Sequence, residues 1–134
     1  MRALRVDPTD STPIWSQIEE GVRRLVASGA LAAGSAVPSV RDLARDLSVN
    51  PATVAKAYQK LTEGGLLAVK RGDGTYVAEK PPTMGKNERS RTLKDGATRY
   101  ASLAITVGAD AAEASREVTA AWKQLGDTAK GVKS

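Results

Sequence analysis

Ser39-Val40-Arg41-Asp42-Leu43-Ala44-Arg45-Asp46-Leu47-Ser48-Val49-Asn50-Pro51-Ala52-Thr53-Val54-Ala55-Lys56-Ala57-Tyr58-Gln59-Lys60-Leu61 is the stretch that decides the fold. Ser39 stands three residues ahead of Asp42, a capping-box arrangement that satisfies free backbone donors at a helix start. Val40, Leu43, Ala44 and Leu47 follow at helical spacing and predict the buried stripe of a short helix. Ser48-Val49 leaves room only for a tight connection. Asn50-Pro51 then supplies a cap followed by proline at the first helical position, so another helix starts almost at once. At about 100° per residue, Val54, Ala57, Tyr58 and Leu61 share one arc. Ala52, Ala55, Lys56, Gln59 and Lys60 fall on the other side, with Thr53 at its edge.

Downstream, Gly64-Gly65 stops this helix. Residues 66–70 are short, apolar and unlike a helix start, and Thr75-Tyr76-Val77 is β-prone. Between them Arg71-Gly72-Asp73-Gly74 holds two glycines that permit positive φ, which predicts a hairpin turn. Upstream, Thr12-Pro13 reads as a cap and first helical residue, followed by Ile14, Ile18, Val22, Leu25 and Val26 at helical spacing. Ser28-Gly29 ends that helix, residues 31–34 form a turn, and Ala36-Val37 is a candidate for a very short strand. Residues 1–11 are polar and read as an arm or loop.

Pro81-Pro82 breaks the pattern, and residues 83–87 look like a linker. Beyond it Leu93, Ala97, Tyr100, Ala104 and Val107 recur at alternating spacings of four and three, ending at Gly108. Asp110 and Glu113 make another capping box, after which Ala111, Ala114, Val118, Ala121, Trp122 and Leu125 form a second stripe that Gly126 and a polar tail are expected to end. Alanine-rich faces of this kind suit close helix packing. There is no internal repeat. The expected architecture is mainly α with a small β-hairpin. A winged helix-turn-helix domain occupies residues 1–80, and a linker with a two-helix antiparallel dimerisation region occupies residues 81–134.

Composition narrows the chemistry. The 134 residues include no cysteine and no histidine. That removes disulfides, thiolate metal sites, zinc fingers, histidine general bases and serine–histidine triads. Neither a metal nor a cofactor is expected, and Asp42, Asp46 and Asp110 have helix-surface explanations instead of catalytic ones. The net charge is +5, which favours polyanion partners. The balance is 11 basic to 9 acidic side chains over residues 1–80 and 9 to 6 thereafter, so charge does not locate a binding face by itself. With no leader-like start and no run near 18 apolar residues, the chain is expected to be soluble and cytoplasmic, away from membranes.

The order helix, helix, tight turn, helix, hairpin places the last helix where it can enter a DNA major groove. Two alanines on its outer side would let the backbone approach the duplex. Lys56 and Gln59 would reach base edges, and Asn50 or Thr53 would meet phosphates or bases at the helix start. The alternative is an ordinary solvated face. Ser39 and Arg41 can hold phosphate, although Arg41 can equally balance Asp42 or Asp46. Arg71 beside the glycine turn suits a wing touching a minor groove or backbone, or simply a hairpin turn, and Asp73 is assigned to the turn. The basic run Lys86, Arg89, Arg91, Lys94 and Arg99 either adds phosphate contacts or solubilises the linker.

Several linked segments resemble the GntR family of regulators. Pro13-Ile14-Trp15, Gln17-Ile18, residues 29–34 and residues 37–44 are similar to the family's start, residues 49–58 to its recognition helix, and residues 63–67 with 71–77 to its wing. The resemblance covers residues 11–78 in unbroken order. The Asn-Pro opening, the Ala-Lys-Ala-Tyr stretch and the short tail are similar to the YtrA branch. Many relatives carry arginine where this chain has Pro51 and Ala55, which leaves Lys56 as the better base-reading candidate. The resemblance implies DNA-contacting roles for Ser39, Arg41, Asn50, Thr53, Lys56, Tyr58, Arg71, Gly72 and Thr75. The stripe residues Leu93, Ala97, Tyr100, Ala104, Val118, Trp122 and Leu125 are expected to dimerise the chain. It further implies a homodimer on a palindromic double-stranded operator, with repression favoured and control of a nearby transporter operon hinted at. A small-molecule effector, if one binds, is expected near Tyr100 or Trp122, between tail and winged domain. The rival readings are a protein-interaction module on the same fold, an enzyme, and a plasmid replication or partition protein.

Overall fold

The computed structural model describes Met1 and residues 4–133, with side chains described as far as Gly126. Its elements are α1 (Ile14–Ala27), α2 (Val40–Leu47), α3 (Pro51–Glu63), β1 (Leu67–Lys70), β2 (Gly74–Val77), α4 (Lys86–Thr106) and α5 (Ala111–Lys133). They fall into two compact units, Met1–Pro82 and Thr83–Asp127.

In the first unit α3 packs against both α1 and α2. The buried face is the one its periodicity predicts: Val54, Ala57, Tyr58 and Leu61, set against Ile18, Val22 and Leu25 of α1 and Leu43 and Ala44 of α2. Asn50 caps α3 by accepting from the Ala52 amide at 2.8 Å, and Pro51 opens the first turn. Ser39 caps α2 by accepting from the Asp42 amide at 3.1 Å. The connection is closed by Ser48 in the left-handed region (φ 57°), where Val49 N–H can return to the Ala44 carbonyl. That return keeps the turn between α2 and α3 to a few residues.

β1 and β2 pair antiparallel, with Leu67 opposite Val77 and Lys70 opposite Gly74. The very short strand expected at Ala36-Val37 is a single bridge from Ala36 to Tyr76, flanked by Val37 N–H donating to Thr75 O and Val77 N–H donating to Ser35 O. β2 is therefore bonded on both edges.

Four boundaries depart from the sequence reading. Pro13, not Thr12, is the residue before α1, and it offers no side-chain cap. The arm of residues 1–11 is not simply polar loop: Leu4 is buried in the core. It is fixed there because Gly21 leaves the space it fills, a Cβ at that position colliding with Leu4 Cδ1. Gln17 holds the arm from α1, accepting from the Asp7 amide at 2.7 Å and donating to the Asp7 and Thr12 carbonyls. α4 begins at Lys86, inside the expected linker. α5 continues through Gly126 to Lys133, since glycine costs only about 1 kcal/mol in a helix interior and does not terminate it alone.

In the second unit α4 ends at Thr106, and Gly108 takes φ 84° while Ala109 N–H bonds the Ala104 carbonyl. Asp110 accepts from the Glu113 amide at 2.8 Å, starting α5 as its capping spacing predicts. Tyr100 Oη donates to the Ala114 carbonyl at 2.9 Å, tying the two helices across the turn.

Candidate nucleic-acid interface

α3 presents Ala52, Ala55, Lys56, Gln59 and Lys60 to solvent, with Thr53 half-buried at the margin. Two of these residues, Ala52 and Ala55, are methyl-sized, so that part of the face stands low. Asn50 uses its oxygen to cap the helix, which leaves its amide N–H donors pointing away from the helix's own needs. Ser39 likewise spends its hydroxyl lone pair on the Asp42 amide and retains a donor. Arg41 is exposed beside it. Asp42 pairs with Arg45 at 2.9 Å, so of the acidic residues weighed against Arg41, Asp42 is engaged elsewhere.

Tyr58, expected among the contacting residues, lies instead in the core: its side chain is buried and its hydroxyl donates to the Pro38 carbonyl at 2.7 Å. Burial pushes the phenol's pKa well above its ordinary value. The reason is angular: Tyr58 follows Val54 by four residues and so shares its inward arc. Its contribution is to hold α3 against the segment entering α2.

The sequence reading missed what lies beside α3. Trp15, near the start of α1, is half-buried against the core and turns its ring to the lysines. Lys56 Nζ sits 4.5 Å from the ring centroid and Lys60 Nζ 5.6 Å. The spacing of four between the two lysines was legible, but that α1 delivers an indole to them is a tertiary fact.

At the hairpin tip Arg71 and Gly72 are exposed, Gly72 at φ 76° with nothing within 4 Å of a would-be Cβ. Thr75 is half-buried, pairs with Val69, and gives its carbonyl to Val37. Asp73 belongs to the turn: its carboxylate accepts from the Tyr76 hydroxyl at 2.9 Å. That bond, with the nearby negative charge, raises the Tyr76 pKa. Lys70, also missed, places Nζ 4.3 Å over the Tyr76 ring.

The tail residues divide. Ala104 is buried and Tyr100 half-buried within their own hairpin, so Ala104 is spent on packing inside the chain rather than on a partner. Leu93, Ala97, Val118, Trp122 and Leu125 are exposed, and so are Leu103, Ile105 and Val107. Leu103 and Ile105 escaped the sequence reading because they lie off the single stripe it followed. An open groove of about 550 Å³ runs past Leu93, Gly96, Ala97, Tyr100 and Val118. The basic residues Lys86, Arg89, Arg91, Lys94 and Arg99 are exposed along α4 rather than on a linker. Among the described residues no helix is long and apolar enough to cross a membrane.

Comparison with known proteins agrees with this geometry. Residues 15–77 match the family described as bacterial regulatory proteins, gntR family. The chain is 37% identical over 92 residues to the HTH-type transcriptional repressor YtrA of Bacillus subtilis, covering 69% of this chain and 71% of that protein. Among solved structures it is similar to YtrA from Sulfolobus acidocaldarius, a GntR-family transcription factor, with TM-score 0.58, 31% identity, and coverage of 72% of this chain and 98% of that one. It is also similar to the AraR DNA-binding domain in complex with its operator, with TM-score 0.50, 27% identity, and coverage of 56% of this chain and 93% of that one. A winged helix-turn-helix matched in order from Trp15 to Val77, together with the similarity to the YtrA repressor, identifies the chain as a DNA-binding transcription regulator that belongs to the GntR family.

Proposed function

We propose that the chain is a homodimeric repressor that binds a two-fold symmetric operator, one α3 entering the major groove of each half-site. The observation that carries this reading is the division of α3: Val54, Ala57, Tyr58 and Leu61 are buried while Ala52, Ala55, Lys56, Gln59 and Lys60 are exposed. Lys56 reads a base edge. Asn50, Thr53, Ser39 and Arg41 hold backbone phosphates at the starts of α3 and α2, where the helix dipoles also favour anions. Arg71, Gly72 and Thr75 place the wing against the duplex, with Tyr58 acting from inside by fixing α3. No catalytic role is assigned to any residue. Repression is the activity named for the Bacillus subtilis relative. It would follow here from occupying a promoter that polymerase needs.

Dimerisation is assigned to the tail, where Leu93, Trp122 and Leu125 are 67%, 77% and 45% exposed. Apolar surface left that open in a lone chain calls for a partner, and a second copy would close the groove beside Tyr100 as well. That copy, rather than an effector, is the reading favoured for the groove.

The test is selection of duplexes by the full chain from a randomised library, followed by a salt series on the enriched sequence. The expected outcome is an inverted repeat with half-sites about one helical turn apart. Lys56→Ala should relax preference at one base pair by about 1–3 kcal/mol. No enrichment at low salt would end the regulator reading. Enrichment of a single half-site by a monomer would end the dimer reading alone.

A further inference from the structure

The lysines of the candidate interface are held by aromatic rings and not by carboxylates. Lys56 and Lys60 converge on Trp15, at 4.5 Å and 5.6 Å, and Lys70 lies 4.3 Å over Tyr76. Among the described residues the ion pairs join Arg23 to Glu19 and Arg45 to Asp42, and none involves these three lysines. In the wing the nearby carboxylate of Asp73 is taken up by the Tyr76 hydroxyl.

The two kinds of partner differ in what they do to a lysine that must meet a polyanion. A carboxylate would orient the ammonium but cancel its charge, and it would repel an arriving phosphate. An indole orients the ammonium through its quadrupole and leaves the charge intact. A free lysine also carries rotamer entropy that contact with DNA must remove. A ring that has already narrowed the rotamers lowers that cost. Trp15 does this for two lysines one helical turn apart, and it offsets the repulsion that two ammonium groups at this spacing would otherwise feel. The ring comes from α1, an element to which no DNA contact is assigned above.

We propose that Trp15 is a positioning residue for DNA binding: its indole pre-orders the Lys56 and Lys60 ammonium groups without neutralising them, and operator affinity and preference depend on it through those two lysines. This inference rests on α3 being the DNA-facing helix.

A coupling measurement on the full chain tests it, with the duplex enriched from the randomised library as probe. Trp15→Leu keeps apolar packing and removes the quadrupole. It should weaken binding about two- to fivefold, the range of an exposed cation–π contact. Trp15→Tyr should restore most of the loss. In a K56A/K60A chain the Trp15→Leu change should have no further effect, because nothing remains for the ring to hold. Thermal melting of each variant establishes that it is folded. If Trp15→Leu does not fold, Trp15→Phe, with its weaker ring quadrupole, carries the same comparison with a smaller loss. The inference is overturned if the leucine variant binds as the parent does, if tyrosine fails to rescue, or if Trp15→Leu weakens the lysine-free chain as much as the parent. Each of these leaves the DNA-binding reading standing. Failure of the parent chain to enrich any duplex overturns both.

Discussion

Ile18, Val22, Val54 and Leu61 are wholly shielded in the winged-helix unit, whereas Ile105, Val107 and Trp122 in the tail are 75%, 72% and 77% exposed. Both regions rest on helices with an apolar face, so the presence of such faces does not separate them. What separates them is where the apolar faces point. α1, α2 and α3 turn theirs toward one another, and β1, β2 and the Leu4 arm close the remaining sides. Among the described residues of α4 and α5, Ala104 alone is buried. The first unit holds the means of its own stability; the second holds surface whose stabilising value is realised only when another molecule covers it.

The sharpest way to break this contrast is to truncate one large apolar residue in each region. Leu61→Ala removes a fully shielded side chain at the junction of α1 and α3, and it should cost about 2–5 kcal/mol in denaturant unfolding of the winged unit. A loss well under that range would mean the site collapses and the core is looser than its packing indicates. Trp122→Ala should leave unfolding of the winged unit nearly untouched. It should weaken self-association by about 2 kcal/mol, roughly thirtyfold, in sedimentation equilibrium. If Trp122→Ala instead lowers the winged unit's stability at every protein concentration, the two regions do not divide the work in this way.

A smaller effect sharpens the comparison inside the first unit. Tyr58→Phe deletes the hydrogen bond to Pro38 O and should cost about 1 kcal/mol at neutral pH. Burial raises the folded-state pKa of Tyr58, so the folded chain keeps the phenolic proton longer than the unfolded chain does. That contribution is intact below the ordinary tyrosine value of about 10 and is lost as pH climbs beyond it. The parent's stability should therefore fall more steeply in alkali than that of Tyr58→Phe. Parallel curves would show that another group governs the alkaline limb.

Local chemistry made much of the fold legible. Asn50-Pro51 announced α3, Ser39 and Asp42 announced α2, and Gly72 with Gly74 announced the turn, because caps and positive-φ positions act within a few residues. The inward arc of Val54, Ala57, Tyr58 and Leu61 was legible for the same reason. Leu4 was not, since its burial depends on space left by Gly21, seventeen positions away. Of the candidate site, exposed Lys56 and Arg71 could be read off helix and turn geometry, but the Trp15 seat could not, because it exists only once α1 crosses α3. Tyr58 was named as a contact on resemblance, although its own spacing already turned it inward.

Residues 34–38 give the Pro38 carbonyl to Tyr58 of α3, a strip of backbone to β2 and the Val37 side chain to the core, so α3 and the hairpin are both fastened to this one segment. It works as a common jig. It braces α3 and the hairpin together, so a change of backbone length within it should alter the angle between them while leaving every candidate contact residue in place.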